Sequence, residues 1–356
     1  MVARTMETIL TDFFADESQF ITSTFEAMAC FGLHGEVYYE DELFRTKFRW
    51  TKRRLVDALT GQFAQLPGLV QWVEQCRKGP CDAYYAGLFT LDNDSSPIQV
   101  IGTAVRGTYS SDLSMAFVVK EIGSNASPDI QQKTTATPVR LDNVSVALAD
   151  HVRNSLTSVR GFTQFLRSKP VQEQDHYLDV MLYDIDRVLG TIDDLMLITQ
   201  NAPEHPEKTD VIEVLTSVLS KPYAPSSRAK VVWTGSRKPT FASCYRETLE
   251  RAITHIVTNA LESSTPESLV LLEAGNLDAD YVYFKCRDHG SGMTLRQLSR
   301  IGRLLDSQNI DALGLSFFII SQIVREEDGT LELISGPDRG VAVYITVPAW
   351  DQGCDE

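Results

Sequence analysis

The amino-acid sequence predicts a multi-domain chain of the α+β class, and three observations support this expectation. Short apolar strands alternate with helical stretches up to about residue 122. Two helices with apolar stripes follow at 141–201. Strands and helices then alternate again over 208–349, which is typical of an α/β sandwich. A polar segment at 123–140, with several Ser, Thr and Pro residues, is predicted to be a linker.

The first block, 1–122, has the composition of a small α/β domain. After a helical stretch at 7–29, apolar runs on both sides of His34-Gly35 predict a β-hairpin. A further helical stretch precedes three predicted strands at 84–91, 98–107 and 114–122. The order of two strands, helices and three antiparallel strands resembles that of PAS sensory domains, although the sequence indicates no ligand.

The central block, 141–201, is predicted to be an antiparallel helical hairpin. Lys169-Pro170 interrupts two helices, because proline cannot continue a helix. Each helix carries apolar residues every three or four positions, and a single hairpin cannot bury both stripes well. We therefore expect two chains to form a four-helix bundle, which makes the protein a homodimer. The stripe residues are Leu148, Val152, Leu156, Val159, Phe162 and Leu166, then Tyr177, Met181, Val188, Ile192, Leu195 and Thr199.

The third block, 208–349, contains three short motifs suited to nucleotide chemistry. Asp288-His289-Gly290-Ser291-Gly292 follows a predicted strand at 281–287, and the aspartate can accept a hydrogen bond from an exocyclic amine such as that of adenine. Asn259, in a helix predicted at 245–263, is a neutral oxygen ligand suited to Mg²⁺ beside phosphates. Gly314 and Leu315 open a helix predicted at 313–325, where backbone N–H groups favour phosphate.

In their order along the chain, the motifs around Asn259, Asp288 and Gly314 resemble the N, G1 and G2 boxes of the histidine-kinase ATP-binding domain. The string from Ala149 to Phe162 is similar to that family's phosphoacceptor pattern A-H-E-[IL]-R-N-P-L-T-S-[IV]-x-G-[FY]. The resemblance implies a two-component sensor histidine kinase that binds ATP and Mg²⁺ and acts on a response regulator receiver domain. It also implies that nucleotide binding uses Asn259, Asp288, Gly290, Gly292, Gly314 and Leu315, with Asn259 as the metal ligand.

Several positions depart from the family pattern. Asp150 occupies the place of the phosphoacceptor histidine, and His151 occupies the place of the acid that follows it. On a helical wheel Asp150 lies opposite the apolar stripe, whereas His151 lies at the edge of that stripe. His255 replaces an asparagine or acid, and Ile310 and Ala312 replace glycines of the phosphate loop.

These departures leave the activity open. Asp150 and His151 remain the candidate catalytic residues, and we expect impaired autokinase activity, with a pseudokinase as the limiting case. The alternatives are a working kinase that uses His151, a non-catalytic dimeric adaptor that binds a partner kinase or response regulator, and a phosphotransferase.

Composition excludes some classes of function. The net charge of -15 and the pI of about 4.9 argue against nucleic-acid binding. The sequence has no apolar run near the roughly 20 residues that cross a bilayer, and no secretory signal, so we expect a cytoplasmic protein that does not enter the membrane. No pair of cysteines has C-x-x-C spacing, and no zinc site is expected.

Overall fold

The computed structural model describes most of the two ends of the chain and part of its centre. The described residues are 14, 21, 24–32, 35–48, 52–53, 55–57, 66–78, 82–89, 97–106, 113–121, 156–157, 159–166, 177–178, 181–182, 185–186, 188–190, 192–193, 206–221, 229–301 and 312–350. We refer to 27–121 as the N-terminal lobe and to 206–350 as the C-terminal lobe.

The N-terminal lobe contains the predicted hairpin and the three predicted strands. Ala27, Met28 and Ala29, which the sequence assigned to a helix, instead belong to the first strand. The short first helix begins where the Asp41 carboxylate accepts a hydrogen bond from the Phe44 amide at 2.6 Å. The elements are β1 Ala27–Gly32, β2 Val37–Glu40, α1 Glu42–Thr46, α2 Pro67–Lys78, β3 Tyr84–Phe89, β4 Ile98–Arg106 and β5 Leu113–Glu121.

Helix α2 packs on one face of these strands through Trp72, which is fully buried. The Trp72 indole N–H donates to the Ala83 carbonyl at 2.9 Å. Its ring lies 6.0 Å from the rings of both Tyr85 and Phe117, distances typical of paired aromatic side chains. An aromatic core therefore fixes α2 against the sheet.

The central helices are described in part, and every described residue between 156 and 193 is helical. Val188 is buried, and the rings of Phe162 and Tyr177 lie 5.9 Å apart across the hairpin. Leu156, placed in the buried stripe by the sequence, is 53% exposed. Asp150 and His151 lie outside the described residues.

The C-terminal lobe is a mixed sheet with one layer of helices, as predicted. Strand β7 pairs parallel with β9, and the other strand pairs of the main sheet are antiparallel. The elements are β6 Lys208–Asp210, α3 Val211–Ser220, β7 Lys230–Trp233, β8 Phe241–Ser243, α4 Arg246–Ser263, β9 Leu269–Asn276, β10 Tyr281–Arg287, α5 Leu295–Leu298, α6 Ala312–Glu326, β11 Thr330–Ser335 and β12 Val341–Pro348. No helix within the described ranges is long and apolar enough to span a membrane.

The two lobes share one sheet of ten strands. Its order is β2-β1-β5-β4-β3-β11-β12-β10-β9-β7, so β3 and β11 form the boundary between the lobes. These two strands are antiparallel, with Leu88 opposite Leu331 and Tyr85 opposite Ile334. Backbone hydrogen bonds therefore connect the lobes directly.

A buried carboxylate reinforces this boundary. Glu332 on β11 is fully buried and accepts hydrogen bonds from the amides of Gly68 at 3.0 Å and Leu69 at 2.9 Å, both in the first turn of α2. It also accepts one from the Tyr85 hydroxyl at 2.9 Å. Burial raises the pKa of Glu332 to about 7, although the three donors oppose the rise. We call Glu332, Gly68, Leu69 and Tyr85 the interlobe joint.

Candidate functional site

The candidate site is centred on Asp288, directly after β10. This residue is only 4% exposed, and one carboxylate oxygen, Oδ1, accepts hydrogen bonds from the amides of Gly290 at 2.8 Å and Val341 at 3.1 Å. The other oxygen, Oδ2, makes no hydrogen bond to the described residues. The protein therefore fixes the carboxylate through one oxygen and leaves the second able to accept a hydrogen bond from a ligand.

Two glycines in this loop are required by the backbone. A Cβ atom at Gly290 would collide with the Ser263 carbonyl at the end of α4. Gly292 has a φ of 68°, and a Cβ there would collide with the Gly336 carbonyl. The sequence placed both glycines in the site, and the structure explains why neither position accepts a side chain.

The turn between β11 and β12 holds the loop in place. The Gly340 amide donates to the Gly290 carbonyl at 3.0 Å, and the Asp338 amide donates to the Ser291 carbonyl at 2.6 Å. The Ser335 hydroxyl accepts from the Met293 amide at 2.9 Å and donates to the Gly340 carbonyl at 2.7 Å. The final hairpin and the Asp288 loop thus form one rigid unit.

The electrostatics of the loop favour ligand binding by the aspartate. Burial raises the pKa of Asp288, while the Gly290 and Val341 amides and the nearby charges of His289 and Arg287 oppose that rise. A partly desolvated carboxylate makes a stronger hydrogen bond than one in water.

Asn259 lies on α4 and contacts α6. Its side-chain amide donates to the Ser316 hydroxyl at 2.8 Å, and the His255 Nδ1 atom is 3.5 Å from the same hydroxyl. In this orientation the side-chain nitrogen of Asn259 is used by Ser316, whereas its side-chain oxygen is available to bind a metal ion. No cluster of three or more His, Cys, Asp or Glu within the described ranges could hold a metal ion, so such an ion would also need oxygens from phosphate and water.

Gly314 and Leu315 lie in the first turn of α6. The Leu315 side chain is buried in the hydrophobic core, so this residue can meet a phosphate only through its backbone N–H.

The sequence did not assign roles to Ser316, Ser335 and Val341. Val341 acts through its backbone amide and therefore has no side-chain signal. The two serines have no local sequence signal, because only the fold brings them to Asn259 and to the Asp288 loop.

Two family models match the chain. Residues 143–203 match the His Kinase A (phospho-acceptor) domain, and residues 244–351 match the histidine kinase-, DNA gyrase B-, and HSP90-like ATPase. The chain therefore has the phospho-acceptor and ATPase domains of a histidine kinase, in that order. The motifs that predicted this family fall inside the two matched ranges, and the ATPase match supports the use of ATP.

Known sensor kinases are similar to the chain over part of their length. Sensor histidine kinase ZraS of Klebsiella oxytoca is 23% identical over 222 residues, which cover 61% of this chain and 48% of that protein. Sporulation kinase B of Bacillus subtilis is 22% identical over 270 residues, covering 74% of this chain and 63% of the kinase. The chain therefore spans less than two thirds of these relatives.

Among solved structures, histidine kinase ThkA in complex with response regulator protein TrrA is similar over 93% of this chain and 98% of that chain, with 12% identity. The TM-score is 0.45.

Proposed function

We propose that the chain is a dimeric sensor histidine kinase that binds ATP in its C-terminal lobe and acts on the receiver domain of a response regulator. Its N-terminal lobe is a PAS-like sensory domain, and its autokinase activity is impaired because Asp150 replaces the phosphoacceptor histidine. The observation that carries the proposal is the buried Asp288 carboxylate, fixed through one oxygen inside a loop that only glycines can form.

The nucleotide is expected to place its adenine at Asp288. The Oδ2 atom accepts a hydrogen bond from the exocyclic amine, and the Gly290–Gly292 backbone comes close because it has no side chains. The phosphates lie towards Asn259 and the first turn of α6, where Gly314 and the Leu315 N–H contribute. Mg²⁺ is bound by the Asn259 carbonyl oxygen, and its charge offsets that of the phosphates.

The helical hairpin is proposed to form the dimer and to bind the partner protein. Besides the residues that pack within the hairpin, a second set of large apolar side chains is solvent-exposed in the single chain. Exposing this much apolar surface is unfavourable, so a second copy is expected to cover it. The set is Leu156, Leu178, Leu182, Ile185 and Leu189.

A PAS-like sensory role for the N-terminal lobe is supported by its strand and helix order and by its direct connection to the C-terminal lobe. Strand β3 continues into the nucleotide-binding sheet, and Glu332 ties α2 to β11. A signal that changes the N-terminal lobe therefore has a short physical route to the nucleotide site.

Impaired autokinase activity follows from chemistry at position 150. An imidazole nitrogen can form a bond to the γ-phosphorus of ATP as ADP leaves, whereas a carboxylate is a poor nucleophile towards ATP without a metal pocket of its own. His151 lies one residue further on, a rotation of about 100° on the helix. The adaptor and phosphotransferase alternatives share this fold. The adaptor would carry no phosphoryl group, whereas the phosphotransferase would receive one from a phosphorylated partner.

Nucleotide binding is tested first. Binding of a fluorescent ATP analogue with Mg²⁺ is measured for the wild type, for Asp288→Asn and for the exposed control Asp280→Asn. Asparagine would point an N–H₂ group at the adenine amine, so Asp288→Asn is expected to weaken binding at least about tenfold, while Asp280→Asn leaves it unchanged. A wild type that does not bind the analogue contradicts the proposal.

Phosphorylation is tested with γ-labelled ATP on the wild type, Asp150→His and His151→Ala. We expect little label on the wild type and clear labelling of Asp150→His. Strong wild-type labelling that His151→Ala abolishes would show a working kinase. Label that reaches the chain only from a phosphorylated partner would show a phosphotransferase, and no label in any variant, with dimerisation retained, would favour the adaptor.

A further inference from the structure

The backbone that leaves the candidate nucleotide loop is held by the N-terminal lobe. Three residues after Gly292, the one-turn helix α5 begins at Leu295, and the chain continues to Ile301. Gln99, on strand β4, donates two hydrogen bonds from its side-chain nitrogen, to the carbonyls of Leu298 at 3.0 Å and of Ile301 at 3.2 Å.

The surroundings of Gln99 make this contact specific. The side chain is fully buried, and its amide oxygen has no hydrogen-bond partner among the described residues. A buried acceptor without a partner is unfavourable. The carbonyls of Leu298 and Ile301 can pair with the Gln99 side-chain nitrogen but not with its oxygen, so they fix the orientation of the amide despite this cost.

Gln99 also lies in line with the strand that carries the site. Across the sheet, Gln99 is opposite Leu88, Leu88 is opposite Leu331, and Leu331 is opposite Ile345. Ile345 is in turn opposite Phe284 on β10, the strand that ends at the aspartate loop. The row places Gln99 on the face that carries the core of the C-terminal lobe, where Leu295, Leu298 and Ile301 are also buried.

We propose that Gln99 is a positioning residue for the nucleotide site, because its side-chain amide fixes the α5 segment to strand β4 of the N-terminal lobe. The final hairpin holds the loop from Gly290 to Met293, through Gly340 and Ser335, and Gln99 holds the segment that follows it. Nucleotide affinity therefore depends on the position of β4 in the N-terminal lobe. This inference deepens the proposed function and rests on nucleotide binding at Asp288.

Two variants of Gln99 test the inference in the 356-residue chain. Gln99→Leu removes the donor of both hydrogen bonds, and the Leu298 carbonyl keeps only the one that it accepts from the Ile301 amide. A fluorescent ATP analogue is therefore expected to bind about tenfold more weakly, the equivalent of roughly two lost hydrogen bonds. Gln99→Glu places a carboxylate against the same carbonyls. When protonated, it can donate one hydrogen bond, so its affinity is expected to recover as the pH falls, relative to the wild type at each pH.

Amide hydrogen exchange provides a readout that needs no nucleotide. Gln99→Leu is expected to speed exchange at Ser299, Arg300 and Ile301, whereas the control Thr103→Val, on the same strand and also buried, leaves both exchange and affinity unchanged. If the wild type does not bind the analogue, the proposed function fails while exchange still tests the contact. Unchanged exchange in Gln99→Leu, or affinity in Gln99→Glu that follows the wild type at every pH, overturns the inference.

Discussion

The stability of the interlobe joint is expected to depend on pH through Glu332. Its pKa is raised by burial from 4.5 to about 7 in the folded chain, so the folded state binds the proton more tightly than the unfolded state. The stabilisation is fully present below about pH 4.5 and is lost as the pH rises through about 7. At about 1.4 kcal/mol for each pH unit, the whole effect is about 3 kcal/mol.

The titratable groups that neighbour Glu332 do not change their charge between pH 5 and pH 8. Tyr85 donates to Glu332, and Tyr344 lies opposite it on β12. Burial raises the pKa of both tyrosines above their ordinary values, so both stay neutral between pH 5 and pH 8. The titrating group that faces the joint over this range is therefore Glu332 itself.

The perturbation is Glu332→Gln, which cannot titrate. We measure urea unfolding of the wild type and the variant by circular dichroism at pH 5, 6, 7 and 8. The difference between them cancels every other titrating group. The free energy of unfolding of the wild type, relative to the variant, is expected to fall by about 2.5 kcal/mol between pH 5 and pH 8.

A second variant checks the mechanism. Tyr85→Phe removes one donor that favours the ionised carboxylate, so the pKa of Glu332 rises and the loss of stability moves to higher pH. A Glu332→Gln effect of the same size at pH 5 and pH 8 would refute the reasoning, because a carboxylate that titrates alike in the folded and unfolded chain is not buried in the joint.

Two further predictions follow from the fold. Gly292→Ala places a side chain at a φ of 68° and against a carbonyl, so it is expected to lower the free energy of unfolding by about 2 kcal/mol or more and to remove nucleotide binding. The control is Gly275→Ala, where a Cβ makes only an ordinary van der Waals contact. Equal melting temperatures of the two variants in thermal unfolding would contradict the prediction. Leu182→Glu replaces an apolar side chain, which is 58% exposed in the single chain, with a charged one. The dissociation constant of the dimer, measured by sedimentation, is expected to rise at least about tenfold. The control Asp186→Asn, on the same helix, is expected to leave the dimer intact.

Local patterns in the sequence predicted much of the C-terminal lobe. The apolar alternation from Tyr281 to Arg287 matches β10 residue for residue, and the aspartate loop follows it directly. The helix predicted at 245–263 is α4, with Tyr245 as the residue that precedes it. These elements are recognisable because the periodicity and the loop glycines lie within a few residues of one another.

Other features had no local signal. The short strands β7 and β8 were not predicted. Glu332 and Gln99 are polar residues within strands, a pattern that normally indicates a solvent-facing side. They are buried because distant segments cover them, and the pairing of β3 with β11 joins residues more than 240 positions apart through backbone groups alone.

The pairing of β3 with β11 also has a consequence for dissecting the protein. In an isolated lobe each of these strands would be outermost in its sheet and would present a row of unsatisfied N–H and C=O groups to other chains. In the intact chain, each lobe covers the exposed edge strand of the other. Separate fragments of the two lobes should therefore self-associate. If the lobes separated during signalling, the separation would have to be brief, or another molecule would have to cover the exposed edge strands.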